Sequence, residues 1–510
     1  AAKPVPLRYT VNGTVMRVDL PDPLPPKGKV VLDIAWSFPF GPNTNRMGLE
    51  LIDGSYIYEV AQWYPRMAVY DDVRGWNTEQ YLGQGEFYLE YGRFDVSLTV
   101  PADMLVAATG VLQNPEAVLT PTQRARLARA RRSDSTVVIR GKDEIDHPAS
   151  RPAARGGTLT WRFVADSVRD FAWAAARHFI WDAAGANGGK VLAMSFYPPS
   201  ADSIWQESTQ YVKFAVENYS AWYPYPYPVA INVNGIEGGM EYPMIVFCHN
   251  RTDARALFSV TDHEIGHTWF PMIVGNNERL HPWMDEGFNT FQNYYNWEKK
   301  YPGAFNRRGN PNLYLQFVRT GREQPAMTPA DRIFGNLGIV AYTKPGLGLI
   351  LLREKIVGRE RFDPAFREYI RRWAYKHPTP ADFFRSMEDG VGEDLSWFWR
   401  SWFHTTETLD QAVDSVGVVT DSAGRVTSKV YLRNAGPMVM PVELDLLFDD
   451  GTGERLALPV EIWYAGDRYT AVVPGPKRVV SATVAADPLW PDVERGNNRW
   501  PVVPGMPATP

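Results

Sequence analysis

A multidomain α+β chain is what these 510 residues predict, and three changes of texture predict it. Apolar residues alternate mostly in twos from Tyr9 to about Pro199, take up a helical period from Ser203 to about His404, and return to short alternating runs after that. The expected divisions are an N-terminal β domain over 1–200, a mainly helical domain over 201–410 and a C-terminal β-sandwich over 411–510. Length suggests about three domains, and 45% hydrophobic with 13% aromatic residues is ample for their cores.

In the first domain VVLDIAWSF, FDVSLTVPA, STVVIRG, LTWRFVA and VLAMSFYPP read as strands. The basic run QRARLARARR, Gln123 to Arg132, reads as a solvated helix face in an insertion. Between Glu59 and Asp72, EVAQWYPRMAVYDD carries Gln62, Arg66, Asp71 and Asp72 among its aromatics. It suits either a buried aromatic strand with a charged rim or a loop facing a substrate.

The second domain opens on the helical stretch IWQESTQYVKFAVENYSAWY, closed by YPYPYP. GIEGGMEYPMIVF follows as a β segment whose alternation Gly238 and Gly239 break. Glycine in a strand marks a place where another backbone can come close, as an extended peptide would, although a bulge without a ligand explains it as well. Helices are expected from about Leu257 to Phe270, from Glu286 to about Lys300, and in LGLILLREKIVG, AFREYIRRWAYK, ADFFRSMEDGV and LSWFWRSWF. Past His404, KVYLRNAG, PVELDLLFDDGTGERL, EIWYAG and RYTAVVPG read as the strands of the sandwich.

The chemistry concentrates in HEIGHTWFPMIVGNNERLHPWMDE, His263 to Glu286. Two histidines four apart share one helix face, so His263 and His267 can reach a single tetrahedral zinc ion with Glu264 beside it. Glu286, eighteen residues beyond His267, is the natural third ligand, an anion that offsets the ion's charge and leaves one position open. Two polar rings on one face would add little to a helix kept for packing alone. A metzincin needs Gly and His three and six residues past the second histidine, where Phe270 and Ile273 stand. A thermolysin-like site is closer, although Thr290 replaces the Asp expected one turn after the ligand glutamate.

Other classes are excluded by composition. A net charge of −5 and a pI near 6.0 argue against nucleic acid, which needs a concentrated basic surface. Cys248 is the sole cysteine, so no intrachain disulfide forms, and its IVFCHN setting reads as a structural thiol at a strand end. No run of eighteen apolar residues offers a spanning helix. The opening AAKPVPLRYT, without Met, suits a mature product after signal removal or a trimmed chain.

These residues resemble the aminopeptidase N family of zinc metallopeptidases, within the gluzincins. HExxH-x18-E is matched by His263, Glu264, His267 and Glu286; the family's GxMEN is similar to Gly238-Gly239-Met240-Glu241-Tyr242, and its Tyr-x-Lys-Gly to Tyr342-Thr343-Lys344-Pro345. The resemblance implies a saddle-like N-terminal β domain, a thermolysin-like catalytic domain and one Zn²⁺ per chain. It implies that Glu264 is the general base on the water zinc activates, and that Tyr342 donates a hydrogen bond to the oxyanion. Glu241 would grip the substrate's free α-amino group, Gly238 and Gly239 its backbone, and Gln62 would help with the amine.

The expected function is therefore zinc-dependent removal of N-terminal residues from peptides. Tyr242 and Pro345 depart from the family pattern and the long helical C-terminal domain of many relatives is absent, so an endopeptidase with an open cleft is the alternative. A non-catalytic scaffold retaining the fold is a second, which the joint presence of base, ligands and oxyanion donor disfavours. Relatives of this architecture are often exported, which makes a periplasmic or secreted location the expectation.

Overall fold

The computed structural model describes residues 5–42, 44–152, 154, 156–251 and 253–501. The outermost ends of the first and last expected domains, 1–4 and 502–510, lie outside them. The chain divides into two compact units, Ala1–Arg279 with Trp373–His377, and Leu280–Arg372 with Pro378–Pro510.

In the first unit a six-stranded mixed sheet runs in the order Val137–Arg140, Ile180–Ala186, Val191–Tyr197, Val229–Asn234, Ile245–Cys248, Met240–Tyr242. The pairs on either side of Val229–Asn234 are parallel and the rest antiparallel. The sheet thus draws strands from both sides of residue 200. Ile180–Ala186, Val191–Tyr197 and Val229–Asn234 are buried along their whole lengths, Asp182, Ser195, Asn232 and Asn234 included. Helices Ser208–Tyr219 and Ala254–Gly266 pack on this sheet and on each other.

A second sheet of this unit orders Gly48–Ile52, Ser55–Val60, Trp173–Ala176 and Leu105–Ala108, and a third orders Gly92–Pro101, Thr158–Val168 and Val111–Leu112. VVLDIAWSF is not a strand. Residues 30–38 carry no strand assignment and stay largely exposed, Val31 at 85%, although the side chain of Trp36 donates to the Trp63 carbonyl at 2.7 Å. Alternation of side chains is necessary for a half-buried strand, but without a ladder partner it does not make one. The basic run does form a helix, Pro121–Ala130, held by a reciprocal capping box between Thr120 and Gln123.

The second unit opens on helix Trp283–Lys300, three residues ahead of expectation, so Asp285 and Glu286 fall in its first turn. Negative charge is favoured there, beside the positive end of the helix dipole. Pro311–Val318, Lys344–Leu351, Arg359–Trp373 and Pro380–Val391 follow as helices, the last stopped by Gly392 at φ +70°. The sandwich is present. One sheet orders Gln411–Thr420, Val426–Asn434 and Arg468–Pro474, the other Gly453–Leu458, Val442–Phe448, Val479–Val484 and Arg499–Trp500. Alternate residues Val442, Leu444, Leu446 and Phe448 turn inward to meet Val430, Leu432, Ala471 and Trp463. Among the described residues, no helix is long and apolar enough to cross a membrane.

Candidate active site

Helix Ala254–Gly266 of the first unit carries His263 and Glu264, and His267 is its C-cap residue. It begins a turn earlier than expected because the Asp253 carboxylate caps it, accepting from the Ala256 N–H at 2.8 Å. It ends at Gly266 and passes into a wider turn, Thr268–Ile273, since Pro271 supplies no N–H to continue a regular helix. That turn has a chemical consequence. It places the Phe270 carbonyl 2.8 Å from Nδ1 of His267, and a carbonyl can only accept, so Nδ1 carries the proton and Nε2 the lone pair.

Nε2 of His267 lies 3.2 Å from Nε2 of His263, and both rings are buried. A tetrahedral zinc ion with bonds of about 2.0–2.1 Å would set two of its nitrogens roughly 3.3–3.4 Å apart, so this pair fits one shared ion. The carboxylates of Glu241 and Glu264 gather with His267, their ligand atoms within 4.8 Å of one another and all three residues buried. Two acids this close to an imidazole, out of water, form a group suited to a cation.

Gly238 and Gly239 differ in what surrounds them. A Cβ on Gly239 would stand 2.4 Å from Oε1 of Glu264, so the backbone there lies directly against the candidate base and a side chain at this position would displace it. A Cβ on Gly238 would meet nothing within 4 Å. Glu241 sits on the three-residue strand Met240–Tyr242 at the edge of the six-stranded sheet, paired with Val246 of Ile245–Cys248.

Gln62 follows strand Ser55–Val60 and adopts φ +49°, unusual for a residue with a side chain. Its Nε2 donates to the Tyr242 hydroxyl at 2.7 Å, and that hydroxyl reaches the Arg46 carbonyl at 3.3 Å. The residue that replaces the family's Asn is therefore tied back into its own unit. Burial opposes the Arg46 charge, but Glu86, which it bridges, raises its pKa above the ordinary value, with Tyr81 and Glu241 contributing. The first two residues of EVAQWYPRMAVYDD belong to strand Ser55–Val60. Glu59 and Val60 are buried strand residues, and Gln62 is the start of a loop joined to the Glu241 segment.

In the second unit Glu286 is buried in the first turn of its helix, and the Tyr342 hydroxyl donates to its Oε1. Two departures from the expected motifs find their reasons here. Pro345 packs over Gly287, where a Cβ would come 2.6 Å from the proline ring, and Thr290 packs in the same way over Gly346. Both fill the space between helices Trp283–Lys300 and Lys344–Leu351 and leave the Tyr342–Glu286 hydrogen bond in place. Lys344 is fully buried and paired with Glu323 at 2.7 Å.

Several residues of the first unit were not singled out in the sequence. Glu59, 0% exposed, accepts the Glu237 N–H at 2.9 Å; His249 meets the Gly235 carbonyl at 2.8 Å; Arg251 donates to the Gly238 carbonyl. Glu59 and Glu237 are 178 positions apart, and no spacing rule joins them. Burial pushes the Glu59 carboxyl well above the usual range, against the lowering effect of the backbone N–H it accepts. Burial likewise pushes up the thiol of Cys248, in keeping with a structural role.

Comparison with known proteins adds the family. Residues 205–402 match the peptidase family M1 domain. The chain is similar to aminopeptidase M1-A of Oryza sativa subsp. japonica, 26% identical over 156 residues, which is 28% of this chain and 17% of that protein. It is similar to the mitochondrial aminopeptidase 2 of Saccharomyces cerevisiae, 23% identical over 218 residues, 39% of this chain and 22% of that one. Among solved structures, aminopeptidase A of Legionella pneumophila in complex with aspartic acid superposes with a TM-score of 0.58 at 15% identity, covering 87% of this chain and 48% of that chain. The chain thus spans about half the length of that structure, and its matches cover less than a quarter of these two curated relatives. His263, Glu264, His267 and Glu286 all lie inside the segment that matches the peptidase family M1 domain.

Proposed function

We propose that this chain is a zinc-dependent peptidase that removes residues from the N-terminus of peptides. The observation that carries the reading is the imidazole pair, with Nε2 atoms 3.2 Å apart, the His267 tautomer fixed by the Phe270 carbonyl, and Glu264 alongside. Glu286 is the proposed third ligand, on its place in HExxH-x18-E. Zinc, when bound, supplies Lewis acidity that makes water a better nucleophile and polarises the scissile carbonyl.

The chain's own side chains do the rest. Glu264 takes a proton from the attacking water and returns it to the leaving amine, which a carboxylate beside His267 is placed to do. Tyr342, whose hydroxyl already donates to Glu286, donates to the oxyanion that develops as the carbonyl carbon becomes tetrahedral. Glu241 binds the substrate ammonium and so fixes which amide bond is cut. Gly238, where an added Cβ would meet nothing within 4 Å, and Gly239 receive the substrate main chain next to the edge strand Met240–Tyr242. Tyr242 does not disturb this scheme, because its hydroxyl is engaged by Gln62 and Arg46.

The test is a panel of peptides offered to the zinc-loaded protein with free or acetylated N-termini. Free amino acids should appear only from the unblocked set, and Glu264→Gln should retain zinc while losing that release. Equal cleavage of both sets would make the protein an endopeptidase. Zinc bound with no hydrolysis of any peptide would favour the scaffold.

A further inference from the structure

The Glu241 strand is only three residues long and lies on a sheet edge, with one neighbour in the sheet. So short an edge strand does not fix its own position well. Two contacts from the end of strand Ser55–Val60 bracket it. On one side the chain enters through Gly235 and Glu237: the Glu59 carboxyl accepts the Glu237 N–H at 2.9 Å, and Gly235 passes so close that an added Cβ would stand 2.3 Å from the Glu59 carboxyl carbon. On the other side the Gln62 amide donates to the Tyr242 hydroxyl at 2.7 Å.

We propose that Glu59 and the Gln62–Tyr242 pair form a two-point clamp that positions Glu241 for the substrate amine. None of the three clamp residues, Glu59, Gln62 and Tyr242, touches the reacting atoms; they are positioning residues. The inference rests on the reading of Glu241 as the amine-binding group and goes beyond it in saying what holds that group still. It also gives the Tyr at 242 a role: a hydroxyl at the end of a long ring spans the distance to Gln62. The φ of +49° at Gln62 fits this account, since a strained backbone persists where the surroundings hold it, and here the side chain's hydrogen bond does so.

The Glu59 carboxyl is wholly buried and favours its neutral form. An amide of the same shape can accept the same backbone N–H, so Glu59→Gln is a conservative replacement and Glu59→Ala is not. Removing one buried hydrogen bond at either point should loosen Glu241 and weaken ground-state and transition-state binding of the amine alike, which raises KM rather than lowering kcat.

The experiment measures kcat and KM of zinc-loaded wild type, Glu59→Gln, Glu59→Ala and Tyr242→Phe on the best free-amine peptide of the panel. Thermal unfolding of each variant is followed in parallel. Expected are a KM raised roughly tenfold in Tyr242→Phe and Glu59→Ala with kcat within about twofold, and recovery of KM in Glu59→Gln. A folded Tyr242→Phe with wild-type KM overturns the clamp even if Glu59→Ala fails to fold. So does a Glu59→Gln as impaired as the alanine variant, or a fall in kcat alone. If wild type cleaves free and acetylated peptides alike, the amine-binding reading falls first and the clamp with it; failure of the clamp alone shows only in the variants.

Discussion

Two helices of the second unit pack on each other and spend their buried faces differently. Arg359–Trp373 buries Phe362, Ala365, Phe366, Tyr369 and Ile370 and leaves its charged residues outside. Trp283–Lys300 buries Phe288 and Phe291 against Phe366, with ring centroids 6.0 and 5.3 Å apart, but also Asp285, Glu286, Asn289, Thr290, Gln292, Asn293 and Asn296. Folding explains the first pattern, since apolar burial is its main favourable term. It does not explain the second. Buried polar groups cost free energy unless each finds a partner, and Asn289 serves as acceptor to both Gln292 and Asn293 to meet that need. A helix that carries such a load is kept for what its polar residues do, and its aromatic neighbour is kept to hold it.

The sharpest way to break that comparison is to replace one polar and one apolar residue and ask which function follows. Glu286→Gln keeps shape and removes the charge of the proposed third ligand. Peptide hydrolysis should fall by well over the roughly 10–100-fold typical of losing a ligand's outer partner, with zinc content falling in parallel and thermal unfolding little changed. Zinc stoichiometry by atomic absorption and initial rates on one preparation check it. Full zinc occupancy and activity in this variant would remove Glu286 from the site.

Phe366→Ala should do the reverse. A wholly buried phenylalanine at the centre of an aromatic cluster leaves a cavity costing about 3–5 kcal/mol in stability. Activity per folded, zinc-loaded molecule should stay at the wild-type level. Denaturant unfolding together with active-site titration checks it, and a loss of turnover in fully folded protein would mean that the aromatic helix is more than scaffold.

What the residues made legible divides along the same line. The i, i+4 spacing of His263 and His267 is fixed by helix geometry, so two ligands on one face follow from letters alone, and the amphipathic stripe of Arg359–Trp373 is readable for the same reason. The inward alternation of Val442, Leu444, Leu446 and Phe448 likewise announced a sandwich. Contacts that depend on distant pairing were not legible. Nothing local says that residues 30–38 lack a ladder, that Val191–Tyr197 joins the parallel strand Val229–Asn234, or that Glu59 meets the backbone of Glu237. Resemblance alone points to Gln62, and its hydrogen bond to Tyr242, 180 positions away, follows from no periodicity.

Glu59 carries the comparison into the first unit, where the effect rests on one proton. It is a buried carboxyl whose folded pKa lies well above the 4.5 of an ordinary glutamate, burial being the main cause. Below pH 4.5 the group is protonated in both folded and unfolded chains, and what its neutral form contributes is fully present. As pH rises past that value the unfolded chain releases the proton while the folded one keeps it, so stability declines by at most about 1.4 kcal/mol per pH unit until the folded pKa is passed. Glu59→Gln has no proton to lose. Its unfolding free energy, measured in urea from pH 5 to 8, should therefore fall less steeply than that of wild type, and the two curves should diverge upward in pH. Parallel curves would mean that Glu59 is ionised in the folded protein, and that the amide is then no fair stand-in for the group holding the Glu237 N–H.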